Sequence, residues 1–324
     1  MRSRLRWSSE RGGCSVKRCL FTYELLKSNE ENYSLRGLKQ LSKKLTHLNI
    51  FPYDQQEQME IARRMAKKIS IQGVQPKFSV VLLEREQSFK EVENNGKFIL
   101  KPQVQAYKQL PENEDLTMQL VAMTGLNVPW HGLIKCTDDS LSYVVKRFDR
   151  TIKEKIPMED FSQLIGASRD TKYDVSFEKV AETIEDHCTY PIIENFKLFQ
   201  RIILAFLLGN EDFHLKNISL ITAGDKVQLS PVYDFVNSSI ANPNAEEEMA
   251  LSINGKKKNL NKNDLLKSFA ENILFLPSAK IEKETTRLLS FTPSWKKKIE
   301  QSFLSETLKE KYKQLIDARA ARLK

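Results

Sequence analysis

The chain has 324 residues, 40% hydrophobic and 29% charged, with a formal charge of +9. That composition is ordinary for a globular protein, and the length allows one large core or two coupled lobes. The longest apolar run, 202–208, suits a buried helix and is too short to cross a bilayer, which excludes a membrane span.

In chain order, the basic start (Arg2, Arg4, Arg6, Arg11) lacks the apolar core and cleavage site of an export signal, so a disordered tail or an overlong start is expected. Residues 20–68 alternate helical and turn patterns and end in a basic helix at 61–68. A turn over 70–77 opens a β-rich stretch with strands at 78–83, 97–101 and 141–148. Asn94-Asn95-Gly96 reads as a hairpin turn between two of these runs. A helix at about 112–124, stopped by Gly125, lies between the last two strands. From Pro157 the pattern turns helical, with apolar residues at helical spacing over 159–164, 177–187 and 192–208. Two short β-like runs, 218–222 and 226–229, interrupt it, and everything beyond Asn261 is helical and lysine-rich. A β-rich part (1–147) followed by an α-helical part (148–324) predicts an α+β, two-lobed architecture with a ligand cleft between the lobes.

The segment Gly209-Asn210-Glu211-Asp212-Phe213-His214-Leu215-Lys216-Asn217 follows an apolar helix and is too polar for a core, so a functional loop is expected. Pro231-Val232-Tyr233-Asp234 comes after the second β-like run. A loop Asp, an Asn five positions on and a second Asp beyond a hairpin form a phosphoryl-transfer pattern. In it Asp212 is the base, and Asn217 and Asp234 are hard oxygen ligands for Mg²⁺. His214 is either a packing residue of the turn or a nucleotide contact. Lys101, ending the strand 97–101, is a candidate phosphate contact with Glu114 as its partner; each is also explicable, as a strand-end charge and a first-turn helix acid. Backbone N–H groups of Gly73, Val74 and Gln75 can cradle phosphate, with Lys77 closing that turn and Ser70 either a phosphate acceptor or a turn serine. Where 141–148 enters the second lobe, Arg147, Phe148 and Asp149 fit an adenosine-binding hinge, Phe148 beside the base and Asp149 at the ribose; an Asp–Arg surface pair fits as well.

Six segments together give the chain a strong resemblance to the HipA-type serine/threonine kinase toxins of bacterial type II toxin–antitoxin systems: 70–77 (SIQGVQPK), 99–102 (ILKP), 113–114 (NE), 147–150 (RFDR), 209–217 and 230–234 (SPVYD). They cover roughly 68–240. The resemblance implies a kinase that uses ATP and Mg²⁺ and phosphorylates an aminoacyl-tRNA synthetase. Lys101 would contact phosphates, with nucleotide contacts extending to His214 and Lys216, and Ser70 would be an autophosphorylation site. Lys146 stands where many such hinges carry Glu, so no side-chain role is assigned to it. The short stretch ahead of residue 68 looks like the HipT branch, in which a small antitoxin supplies the missing N-terminal subdomain and a separate antitoxin binds DNA. On that analogy tryptophanyl-tRNA synthetase is the favoured substrate and the glutamyl enzyme the next.

Two other readings use the same residues: a small-molecule kinase on this scaffold, and a catalytically silent antitoxin-binding module. The positive charge is accounted for by a solvated lysine surface and the nucleotide, and no aromatic–basic repeat supports direct DNA reading; DNA contact is expected only through a partner. Four cysteines (Cys14, Cys19, Cys136, Cys188) without a C-x-x-C pair point to a reducing, cytoplasmic compartment.

Overall fold

In a computed structural model, which describes residues 17–66, 75–151, 154–167, 173–242 and 246–324, five strands form an antiparallel sheet. They are β1 (Phe78–Leu83), β2 (Ser88–Glu91), β3 (Phe98–Lys101), β4 (His131–Lys135) and β5 (Leu141–Lys146), in the order β2-β1-β3-β5-β4. Side chains alternate across a strand, and β5 shows the consequence. Val144 joins a cluster with Leu100, Phe78 and residues of the N-terminal segment, including Leu38, Phe51 and Ile61. Tyr143 and Val145 join the other, larger cluster. The N-terminal segment carries two helices, α1 (Leu35–Leu41) and α2 (Gln55–Ala66). Ser34 caps α1 by accepting from the Gly37 N–H.

Between β3 and β4 runs α3 (Leu110–Met123), which ends before Gly125 at φ +81°. Its buried Leu116, Leu120 and Val121 belong to the same cluster as the helices of the second part. Trp295, on a later helix, donates from Nε1 to the Leu120 carbonyl at 3.0 Å. The second part begins with α4 (Phe161–Ile165), α5 (Phe177–His187) and α6 (Pro191–Leu208). From Ile202 to Leu208 every residue of α6 is fully buried, which explains why that run is apolar all round. A small sheet of β6 (Met158–Asp160), β7 (Ser219–Ala223) and β8 (Lys226–Leu229), then α7 (Ser238–Ala241), a π-helical stretch (Asn263–Glu271), α8 (Ser278–Leu289), α9 (Thr292–Gln301) and α10 (Glu306–Ala321) complete it. No helix among the described residues is long and apolar enough to cross a membrane.

Three local expectations are corrected. Asn94-Asn95-Gly96 is not a hairpin turn between neighbouring strands: β2 lies on the outer side of β1, so this loop carries the chain from the sheet edge past β1 to β3. Strands β2 and β4 were not anticipated; each is short, and His131-Gly132 at the start of β4 hides any alternation. The helix expected over 159–164 is present but begins two residues late: its first two positions belong to β6, and α4 follows. Asp160 and Gln163 form a capping box there, so the helix starts only at Phe161. The basic helix expected at 61–68 is the end of α2, and residues 67–68, like the basic start and Cys14, lie outside the described residues.

Candidate active site

The polar segment after α6 is turned by Gly209, at φ +70°, where a Cβ would come within 2.8 Å of Asn237 Oδ1 and 2.9 Å of Ser239 Oγ. Glycine suits both the conformation and the close approach. Below the loop, Phe213 is fully buried against Phe235 (centroids 5.1 Å) and Phe177 (5.8 Å). Glu211 is held by Ser239 Oγ at 2.5 Å and by Arg319 at 3.5 Å. Apolar side chains thus rivet the loop from below while the Asp212 side chain stays 48% exposed. Phe213→Ala should lower unfolding free energy by ~3–5 kcal/mol, read from chemical denaturation; an unchanged midpoint would show that the aromatic column does not hold the loop.

Asp212 accepts a hydrogen bond on Oδ1 from the Tyr173 hydroxyl at 2.9 Å, with His214 Nε2 at 3.7 Å. Its backbone carbonyl accepts from Asn217 Nδ2 at 2.8 Å. That bond fixes which way the amide lies and leaves Asn217 Oδ1 as the atom for a cation. Tyr233 donates to the Lys216 carbonyl at 2.9 Å, tying the segment after β8 to the loop. Asp234 follows at φ +56°, a region few residues other than Gly, Asn and Asp adopt and one that recurs where function demands strain.

Lys101, 3% exposed, spans the two parts of the chain: Nζ donates to Glu114 Oε1 at 2.6 Å and to Asp234 Oδ1 at 2.7 Å. Burial works to lower the Lys101 pKa, but the charges of Asp234 and Glu114 more than offset it and the ammonium is held charged. Burial likewise works to raise Asp234, yet Lys101 and Lys77 hold it below the usual carboxylate range. Glu114, 2% exposed, is pushed up to about 7 by burial, with Lys101 opposing. Beside this bridge, Asn113 Nδ2 donates to the Asn237 carbonyl at 2.9 Å and Asn113 Oδ1 accepts from the Asn237 N–H at 3.0 Å. The two bonds clamp α3 to the chain just after Asp234.

Among the anticipated residues, Asp212, His214, Lys216, Asn217, Asp234, Lys101, Glu114 and Lys77 fall into one electrostatic neighbourhood. Lys77 feels Asp234, Lys101, Glu114 and Lys216, and Asp234 feels His214. His214 is buried with its ring edge-on to Tyr173 at 5.1 Å. Phe148 lies against Tyr233 at 5.4 Å. Arg147 grips Asp149 through Nε and Nη2 at 2.9 and 2.7 Å, and Arg150 adds a bond at 2.6 Å, so the Asp–Arg pairing is present. Gln75 is half-buried just ahead of β1. Ser70, Gly73 and Val74 lie outside the described residues. Sequence reasoning missed Tyr173, which carries no motif. It also missed Asp160, whose cap spacing with Gln163 was visible and which the charges of Lys216 and His214 reach.

One ionised carboxylate and one amide oxygen, next to two lysines, fit a Mg²⁺ ion that keeps waters and takes its remaining ligands from phosphates. A carboxylate that is 48% exposed and already accepts from a phenolic hydroxyl can also take the proton of a hydroxyl brought to it.

Residues 69–296 match the family model described as the HipA-like C-terminal domain. The chain is 33% identical over 238 residues to a Haemophilus influenzae protein named provisionally as a kinase, covering 68% of each chain. It is 27% identical over 210 residues to the serine/threonine-protein kinase toxin HipA of Shewanella oneidensis, covering 57% of this chain and 47% of that protein. The chain spans about half the length of three of the curated relatives it matches, between 47% and 54%. In structure it is similar to the Shewanella oneidensis HipA solved with HipB and operator DNA, with a TM-score of 0.67 at 22% identity over 86% of this chain and 72% of that one. That likeness shows the kinase-like fold.

Proposed function

The chain belongs to the HipA-like C-terminal domain family, and from that premise we propose that it is a Mg²⁺- and ATP-dependent serine/threonine protein kinase acting as a toxin. The observation that carries the reading is the bridge from Lys101 to both Glu114 and Asp234, set beside the Asp212–Asn217 loop. A buried lysine pinned by two acids, one of them free to take a cation on its other oxygen, is what a triphosphate site requires.

In this reading Lys101 and Lys77 place positive charge against the phosphates, with Gly73, Val74 and Gln75 as the covering turn and Arg147, Phe148, Asp149, His214 and Lys216 as further nucleotide contacts. Asn217 and Asp234 hold Mg²⁺, which when bound neutralises phosphate charge. Asp212 orients the acceptor hydroxyl and takes its proton as the oxygen–phosphorus bond forms and ADP leaves. The lobes would divide at 147/148. Ser70 is the proposed autophosphorylation site and an aminoacyl-tRNA synthetase the proposed substrate, the tryptophanyl enzyme ahead of the glutamyl one. Family likeness, and the HipB and DNA held by the Shewanella protein, support a small antitoxin and a DNA-binding antitoxin as partners of a HipT-type, tripartite system working in the cytoplasm.

Incubation with γ-labelled ATP and Mg²⁺ should label Ser70 and a synthetase in lysate. Asp234→Asn should abolish the Mg²⁺-dependent part of that labelling. Labelling that survives the substitution, or label that goes to a metabolite and to no protein, would end the proposal.

A further inference from the structure

The Tyr173 hydroxyl donates at 2.9 Å to Oδ1 of Asp212, the carboxylate proposed as base. An acceptor hydroxyl about to be phosphorylated must make this contact: its proton faces the base while its oxygen lone pairs remain available to phosphorus. Tyr173 is half-buried, its ring set edge-on to His214 at 5.1 Å, so the hydroxyl is steered to Asp212 and is not free to sweep through solvent. Burial and then the Asp212 charge keep the phenolic proton in place until it is transferred. Tyr173 also lines a cavity of about 670 Å³ whose wall mixes the cations Lys256, Lys257 and Lys258 with the acids Asp174, Glu246 and Glu247. Tyr173 packs against the main apolar cluster, and from that anchored position its hydroxyl reaches the exposed Asp212 carboxylate.

We propose that Tyr173 is a phosphoacceptor of this chain's own active site, modified in cis; the inference rests on the kinase reading above. Tyr173 Oη bonds to the γ-phosphorus of ATP while the bond from that phosphorus to the β–γ bridging oxygen breaks. The phenolic proton passes to Asp212 and ADP leaves with the bonding pair. The aryl phosphate so formed can no longer donate to Asp212 and is repelled by its charge.

The test is phosphosite mapping by mass spectrometry of the full chain after incubation with Mg²⁺ and ATP, over a wide range of protein dilution. Phosphate is expected on Tyr173, with a first-order rate constant independent of protein concentration. It should be lost in Asp212→Asn, and the phosphotyrosine signal should be lost in Tyr173→Phe. Phosphate on serine or threonine with none on Tyr173 would overturn this inference and leave the kinase reading standing. A rate proportional to protein concentration would overturn modification in cis. No phosphate on any residue, and none on proteins of a lysate, would remove the kinase reading and this inference with it.

Discussion

Asp212→Asn is expected to lose phosphoryl transfer by on the order of 10³-fold while folding as the parent does. The first half follows from chemistry: an amide cannot take the proton of the attacking hydroxyl. The second follows from burial. The Asp212 side chain is 48% exposed, and its side-chain partners are the Tyr173 hydroxyl and, at 3.7 Å, His214. Asparagine keeps the shape and one acceptor oxygen for Tyr173, so unfolding free energy should move by no more than about 0.5 kcal/mol, as for most surface changes. Transfer rates and a denaturation curve on the same preparation check both halves. A rate near the parent's would mean that another group is the base. A lost rate together with a collapsed midpoint would mean that Asp212 holds the loop and its chemistry is untested by this variant.

Lys101→Met should behave in the opposite way, with a large cost to stability as well as to activity. Lys101 is 3% exposed and its ammonium is shared between Glu114 and Asp234. Removing the cation leaves two acids without their partner, and breaking a buried pair in this way costs about 3–5 kcal/mol. The pH dependence has a definite sign. Burial already pushes Glu114 up to about 7, against the pull of Lys101. Without the lysine it rises further. A carboxyl whose folded pKa is raised stabilises the fold when protonated and loses that contribution as pH climbs toward the raised value. The deficit of Lys101→Met against the parent should therefore be smallest near pH 6, where a proton on Glu114 relieves one of the two stranded acids, and grow through pH 7 to 8. Adding Glu114→Gln should recover part of it at pH 8. A deficit that stays flat with pH, or is undiminished by the second change, would show that Glu114 is not the group left stranded.

Much of the fold and of the site could be read from residue type and local spacing, because those report geometry within a few turns of chain. The apolar run before Gly209 foretold a buried α6, and the acids and amides after it could not belong to a core. The failures were also local. β2 and β4 are too short for alternation to register, and the Asp160–Gln163 cap was overlooked, which moved the start of α4. Phe213 had no role assigned from the sequence, and the aromatic column under it gives it a structural task. Glu211 likewise gained partners only when Ser239 and Arg319 came into view.

By itself the sequence determined the chemistry on offer: a polar loop with Asp212 and Asn217, a later Asp234, and a lysine at the end of a strand. The tertiary structure alone decided which of these meet. Lys101 and Asp234 lie 133 positions apart and Asn113 and Asn237 lie 124 apart. The bond from Tyr173 to Asp212 spans 39 positions and no motif announces it. Periodicity records how a side chain lies relative to its near neighbours. Contacts across such separations depend on how strand order, helix packing and loop closure bring distant backbone together, and that is a property of the whole chain's burial and of no single stretch of it.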